Sequence, residues 1–88
     1  MTPTQLNLAR AALGLNRSGS RTSYRNRFFV SPGTDGHRHW QEMAAQGWAV
    51  EDLRAGGLIQ FSLTLAGAKL ALKKGESLCG EDFPGAGQ

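Results

Sequence analysis

Five arginines, Arg10, Arg17, Arg21, Arg25 and Arg27, fall within residues 1–30, and no acid accompanies them. The remaining residues carry Arg38, Arg54, Lys69, Lys73 and Lys74 against all seven acids, so the overall charge of +3 combines a +5 front with a −2 remainder. A guanidinium presents a planar fork of donors that matches two oxygens of one phosphate, which a lysine ammonium does not. An arginine-only cluster on one part of a chain is therefore a candidate polyanion grip. A solvated basic loop that keeps a small protein dispersed explains the same charges, and at this level both readings stand. The phosphate-gripping reading assigns Arg17, Arg21, Arg25 and Arg27 to the backbone of a nucleic acid, with Arg38, Gln41 and Arg54 meeting a duplex.

Other chemistry-bearing residues lack partners at useful spacing. His37 and His39 are two apart, which on a helix sends them to nearly opposite sides, so one ion could not take both. With the single cysteine, Cys79, far away in sequence, no metal-ligand set is formed, and a surface role at a helix start is expected for the histidines. Glu51 and Asp52 are adjacent in an expected strand and point to opposite faces, which precludes paired acid–base work. No nucleophile motif gathers a serine, histidine and aspartate, and Gly56-Gly57 suits a turn better than a phosphate loop. Neither an enzyme, nor a metal site, nor a cofactor is expected.

The elements that must position these residues can be read in order. Thr2 before Pro3, with Gln5 three residues on, is a capping-box pattern. Leu6, Ala9 and Leu13 then recur at helical spacing up to Gly14, which predicts a helix over 3–13 with Arg10 on its polar side. Residues 14–23 are small, polar and basic, as in a loop. In Tyr24–Val30, Tyr24, Asn26, Phe28 and Val30 share one parity, and Arg25, Arg27 and Phe29 the other, which predicts a strand with one buried face. Tyr24 and Phe28 could instead form an exposed aromatic–basic platform for single-stranded nucleic acid, though a core role is favoured. Thr34-Asp35-Gly36 introduces a helix over 36–46 striped by Trp40, Met43 and Ala44. Strands are expected over 48–53 and 58–63, turning at Arg54–Gly57. The first of these uses Trp48, Val50 and Leu53 (after a bulge) as its apolar positions. Trp40 and Trp48 are assigned to the core. Thr64 caps a last helix over 65–74, with Leu65, Ala68 and Leu72 inward, and the tail 75–88 is expected to fray.

Length and composition bound the class. Eighty-eight residues with 40% hydrophobic and 19% charged content support one small globular domain, here residues 1–74. Apolar runs of only a few residues leave no transmembrane span, and the N-terminus lacks a secretory pattern. A lone cysteine forms no internal disulfide, so a cytoplasmic setting is expected.

Phe61-Ser62-Leu63-Thr64-Leu65-Ala66-Gly67-Ala68 resembles the strand, Leu-Thr, two residues, Gly and apolar helix that follow the wing in winged-helix proteins. The resemblance implies that residues 37–46 occupy the recognition-helix position and Arg54 to Gly57 the wing tip. It departs from that family in having one helix, not two, before the recognition helix, and in Glu42, which opposes phosphates. Ser23-Tyr24-Arg25-Asn26-Arg27-Phe28, Trp40-x-x-Met43 and Phe61-x-Leu63-Thr64-x-x-Gly67 together are similar to small uncharacterised phage or prophage proteins. That similarity implies a genomic context and no mechanism. The expectation is an α+β domain of order α-β-α-β-β-α, winged-helix-like with a small antiparallel sheet. Its expected role is that of a non-enzymatic, phage-derived accessory protein that binds DNA. The alternative is a protein-interaction or assembly module that forms a homodimer or docks a phage or host protein. No membrane partner is expected.

Overall fold

The computed structural model describes residues 1–16, 21–80 and 82–83. The order is α1 (Pro3–Leu13), β1 (Phe28–Val30), α2 (Asp35–Ala45), β2 (Ala49–Ala55), β3 (Leu58–Leu63) and α3 (Leu65–Ala71), the α+β arrangement expected. The three helices of the described residues all start on threonine. Thr2 accepts from the Gln5 amide while the Gln5 side chain accepts from the Thr2 amide, which completes a capping box. Thr34 and Thr64 accept from the amides of His37 and Gly67 in the same way.

The sheet is antiparallel with β3 in the centre, in the order β1-β3-β2. Ile59, Phe61 and Leu63 alternate inward along β3, and their partners Val30, Phe28 and Ala49 follow them to that face. Helices cover this face. Trp40 is fully buried, with its ring centroid 5.6 Å from both Phe28 and Phe61, and Leu13, Met43 and Ile59 are fully buried in the same core cluster. The other face of the sheet is open, with Phe29, Val50 and Leu58 exposed. β2 carries the bulge that its sequence suggests. Register shifts between Glu51 and Leu53, and the extra residue, Asp52, accepts from Ser62 Oγ (3.0 Å) and Gln60 Nε2 (3.3 Å).

The junction of hairpin and α3 is the tightest place in the fold. The Trp48 carbonyl accepts from the Thr64 amide, and Thr64 Oγ1 donates to the Gly47 carbonyl at 2.7 Å. Gly67 lies directly on the Trp48 carbonyl, so a Cβ there would overlap the Trp48 backbone. Backbone rather than a movable side chain enforces glycine at this position.

Several expectations are corrected by tertiary contacts. Only Phe28–Val30 of the expected 24–30 strand joins the sheet. The preceding amides turn to the end of α1, Tyr24 to the Leu13 carbonyl and Arg27 to that of Ala12. Asn26 continues the pairing through its side chain, accepting from the Leu63 amide (2.8 Å) and donating to the Leu63 carbonyl (3.0 Å). Tyr24, expected in the core, is half exposed, its ring lying over Gly14. In β2 the inward residue is Ala49, and Val50 faces out. Ala49 pairs with Leu63 and shares its inward face, while Val50 pairs with Ser62 on the open face. Trp48 is half-buried and lies before the strand.

The last helix stops at Ala71 rather than residue 74, so Lys73 and Lys74 lie beyond it, and Leu65 is exposed. The cause is Arg10, expected on a polar helix face but only 6% exposed. Arg10 Nη1 donates to the Ala71 carbonyl (2.9 Å), which a longer helix would need for itself, and Nη2 donates to the Leu15 carbonyl (3.0 Å). Both nitrogens also bind the Glu76 carboxylate, at 2.5 and 2.7 Å, as a bidentate pair. Glu76 Oε1 accepts from the Lys73 amide as well, at 2.7 Å. The described part of the expected tail is consequently tied down. Ser77 bridges Thr22, while Leu78 and Phe83 enter the core.

Two predictions follow from these contacts. Gly67→Ala should cost about 1–3 kcal/mol, read as a lowered urea midpoint, because the Trp48 carbonyl has no room to retreat. The guanidinium of Arg10 holds the Glu76 carboxyl down to about 2, chiefly by hydrogen bonding. A depressed carboxyl contributes stability that is present above its unfolded value near 4.5 and fades as pH falls toward 2. Wild type should therefore lose urea resistance across that window. Glu76→Gln, which leaves the guanidinium buried without its counter-charge, should be about 3–5 kcal/mol less stable at neutral pH and should lose this part of the acid sensitivity.

Candidate nucleic-acid interface

The candidate cations fall into two groups. Arg21, Arg25 and Arg27 lie on one segment that runs past the C-terminal end of α1, and all three are exposed. This segment is held by its backbone. The Arg21 carbonyl accepts from the Ser77 amide at 2.8 Å, the Ser23 amide donates to the Ser77 carbonyl at 2.9 Å, and the Tyr24 and Arg27 amides bond α1 as described. Arg25 is held further, its Nε and Nη2 both donating to the Ala11 carbonyl (3.1 and 2.6 Å), where a cation complements the helix dipole. Its guanidinium also lies 5.5 Å from the centroid of the Tyr24 ring. Among the described residues, neither Arg21 nor Arg27 has an acidic partner. Arg17 falls outside the described residues.

The second group is scattered and largely compensated. Arg38, on the exposed side of α2, lies 3.7 Å from both Asp35 and Glu42. Gln41 is exposed beside it, and Arg54 near the hairpin tip pairs with Glu51 at 3.2 Å. Such exposed pairs contribute little to stability, but they place a carboxylate next to each cation where a duplex backbone would have to approach. Arg10, the fifth arginine of the basic front, is neutralised in the interior by Glu76.

Two aromatics complete the first group. Tyr24 is 50% exposed and Phe29 is 49% exposed, so the Arg25–Arg27 stretch is bracketed by rings accessible to solvent. The aromatic platform weighed for Tyr24 and Phe28 thus has different members. Phe28 turns inward to Trp40, and Phe29 takes the outer position. Its shared parity with Arg25 and Arg27, opposite the buried face, is the sequence signal for this.

The histidines are not surface groups as a pair. His37 is buried, its Nδ1 accepting from the Gly33 amide at 3.1 Å and its ring tilted against Phe61. That bond fixes the turn before α2. Among the described residues no three His, Cys, Asp or Glu side chains are grouped to hold a metal ion. A groove of about 440 Å³ between the start of α1 and the end of α2 is lined by Met1, Thr2, Gln5, Glu42, Gln46 and Trp48. Its one charged side chain is Glu42, which accepts from Gln5 Nε2 at 3.1 Å, so the groove does not favour an anion. Among the described residues no helix is long and apolar enough to cross a membrane.

No family model, curated protein or solved structure matches the chain. The functional reading accordingly rests on the geometry of its own residues.

Proposed function

We propose that this protein binds nucleic acid through the Arg21–Arg27 segment, as a non-enzymatic accessory protein. The observation that carries the reading is that Arg21 and Arg27 are exposed, without acidic partners among the described residues, on a backbone sewn to α1 and Ser77. A held segment loses less entropy on binding than a floppy basic loop would. Guanidinium groups fixed on such a segment suit bidentate contact with successive phosphates. Arg38, Gln41 and Arg54, assigned to duplex contact by the winged-helix resemblance, are secondary in this reading because Asp35, Glu42 and Glu51 already accompany the two arginines.

A second reading, an assembly module, draws on one feature, the open sheet face with Phe29, Val50 and Leu58 exposed. Concentration-dependent sedimentation tests it, since docking of that face on a second copy would raise the mass.

Counterion release tests the first. Three arginines meeting three phosphates should give log affinity against log salt a slope of about −2 to −3. Arg21→Gln and Arg27→Gln should each flatten the slope by about 1, while Arg38→Gln and Arg54→Gln leave it unchanged. A slope near zero for the wild type would remove phosphate contact from the reading.

A further inference from the structure

We infer that the nucleic acid taken by this segment is single-stranded, with bases stacking on Tyr24 and Phe29 while Arg21, Arg25 and Arg27 hold the phosphates between them. The inference rests on the nucleic-acid reading above and specifies its substrate. In a duplex the base faces are stacked on one another and only their edges are offered, so exposed rings have nothing flat to meet. In a single strand each base has a free face, and aromatic side chains interleaved with arginine form a sequence-tolerant platform.

The geometry here has those parts in that order. Tyr24 presents half its surface and is kept in place from below by Gly14, whose positive φ of 80° and missing Cβ leave room for the ring. The Arg25 guanidinium lies over that ring, 5.5 Å from its centroid, and is braced by the Ala11 carbonyl. Asn26 faces inward and clamps Leu63, which turns Arg27 to the solvent side. Phe29 stands on the open sheet face opposite Gln60, at the outer strand. Tyr24 and Phe29 are five positions apart, so their Cα atoms lie at most about 18 Å from each other, a distance that a strand of a few nucleotides can span.

Charge also sets the path. Beyond Gln60 the open face carries Asp52, held by Gln60 and Ser62 on the far strand, so phosphates are repelled from a course across the sheet. The strand therefore follows the β1 edge, from Arg21 past Tyr24 to Phe29. The groups on this path, rings and guanidinium forks, make no demand on the sugar, so DNA and RNA should bind alike.

The test is fluorescence anisotropy of labelled oligothymidylate, oligouridylate and a random-sequence duplex of equal length, titrated with the full chain at low salt. The expected result is at least about tenfold tighter binding of both single strands than of the duplex. Phe29→Ala and Tyr24→Leu should each weaken single-strand binding about tenfold with little effect on the duplex. Phe29→Trp, which keeps a ring, should bind like wild type, and its new exposed indole should be quenched by the oligonucleotide. Circular dichroism of each variant separates lost stacking from lost fold. Duplex binding as tight as single-strand binding would overturn the inference and leave the nucleic-acid reading intact. Single-strand preference unaffected by both ring substitutions in folded variants would overturn the platform. Absence of binding to any of the three would overturn both.

Discussion

The buried guanidinium of Arg10 is the contact on which the far end of the fold depends. One side chain from α1 takes the last carbonyl of α3, the Leu15 carbonyl and both oxygens of Glu76, so three separate parts of the chain converge on it. A buried charge of this kind is tolerable only when its donors are used, and here Nη1 and Nη2 each have two acceptors. The consequences spread outward. α3 ends at Ala71, Glu76 turns back to cap Lys73, and the next residue, Ser77, is delivered to the segment at Arg21–Ser23. The candidate interface is thus held partly by an ion pair on the other side of its own backbone.

The aromatic stack around Trp40 plays the corresponding part in the sheet. With Phe28 and Phe61 both packed on it, alternation along β1 and β3 has one permitted register, and Phe29 must face outward. The exposed ring is therefore a consequence of the buried ones. Tyr24 is exposed for a related reason. The chain before β1 spends its amides on α1 carbonyls instead of β3, so its side chains lie over the end of a helix rather than inside the sheet. A basic segment that is rigid without being a strand results, with its cations outside and Asn26 as the one residue reaching into the ladder.

Much was legible in the residues alone, because the signals were local. Threonine caps, the Thr2–Gln5 box, the Gly56-Gly57 turn and the period-two pattern of β3 depend on neighbours a few positions apart, and these elements formed as read. The arginine-rich, acid-free front was legible as a candidate grip. What composition could not separate was which arginines are available. Arg10 and Arg27 look alike on paper, yet one is buried on Glu76, 66 positions away, and the other meets solvent. Arg38 and Arg54 drew their acids from three or four residues off, so that their compensation was visible in sequence, whereas that of Arg10 was not.

The sequence by itself determined the element order, the helix starts, the inward face of the central strand and the uneven charge, since each follows from backbone preferences and short-range periodicity. Tertiary structure alone decided where α3 stops, that Ala49 rather than Val50 points inward, that Tyr24 is exposed over the end of α1, and that Leu78 and Phe83 belong to the core. The physical reason is common to all four. Each turns on a hydrogen bond, ion pair or packing contact between residues distant in sequence, and such contacts are chosen by the competition of the whole chain for buried area and satisfied polar groups.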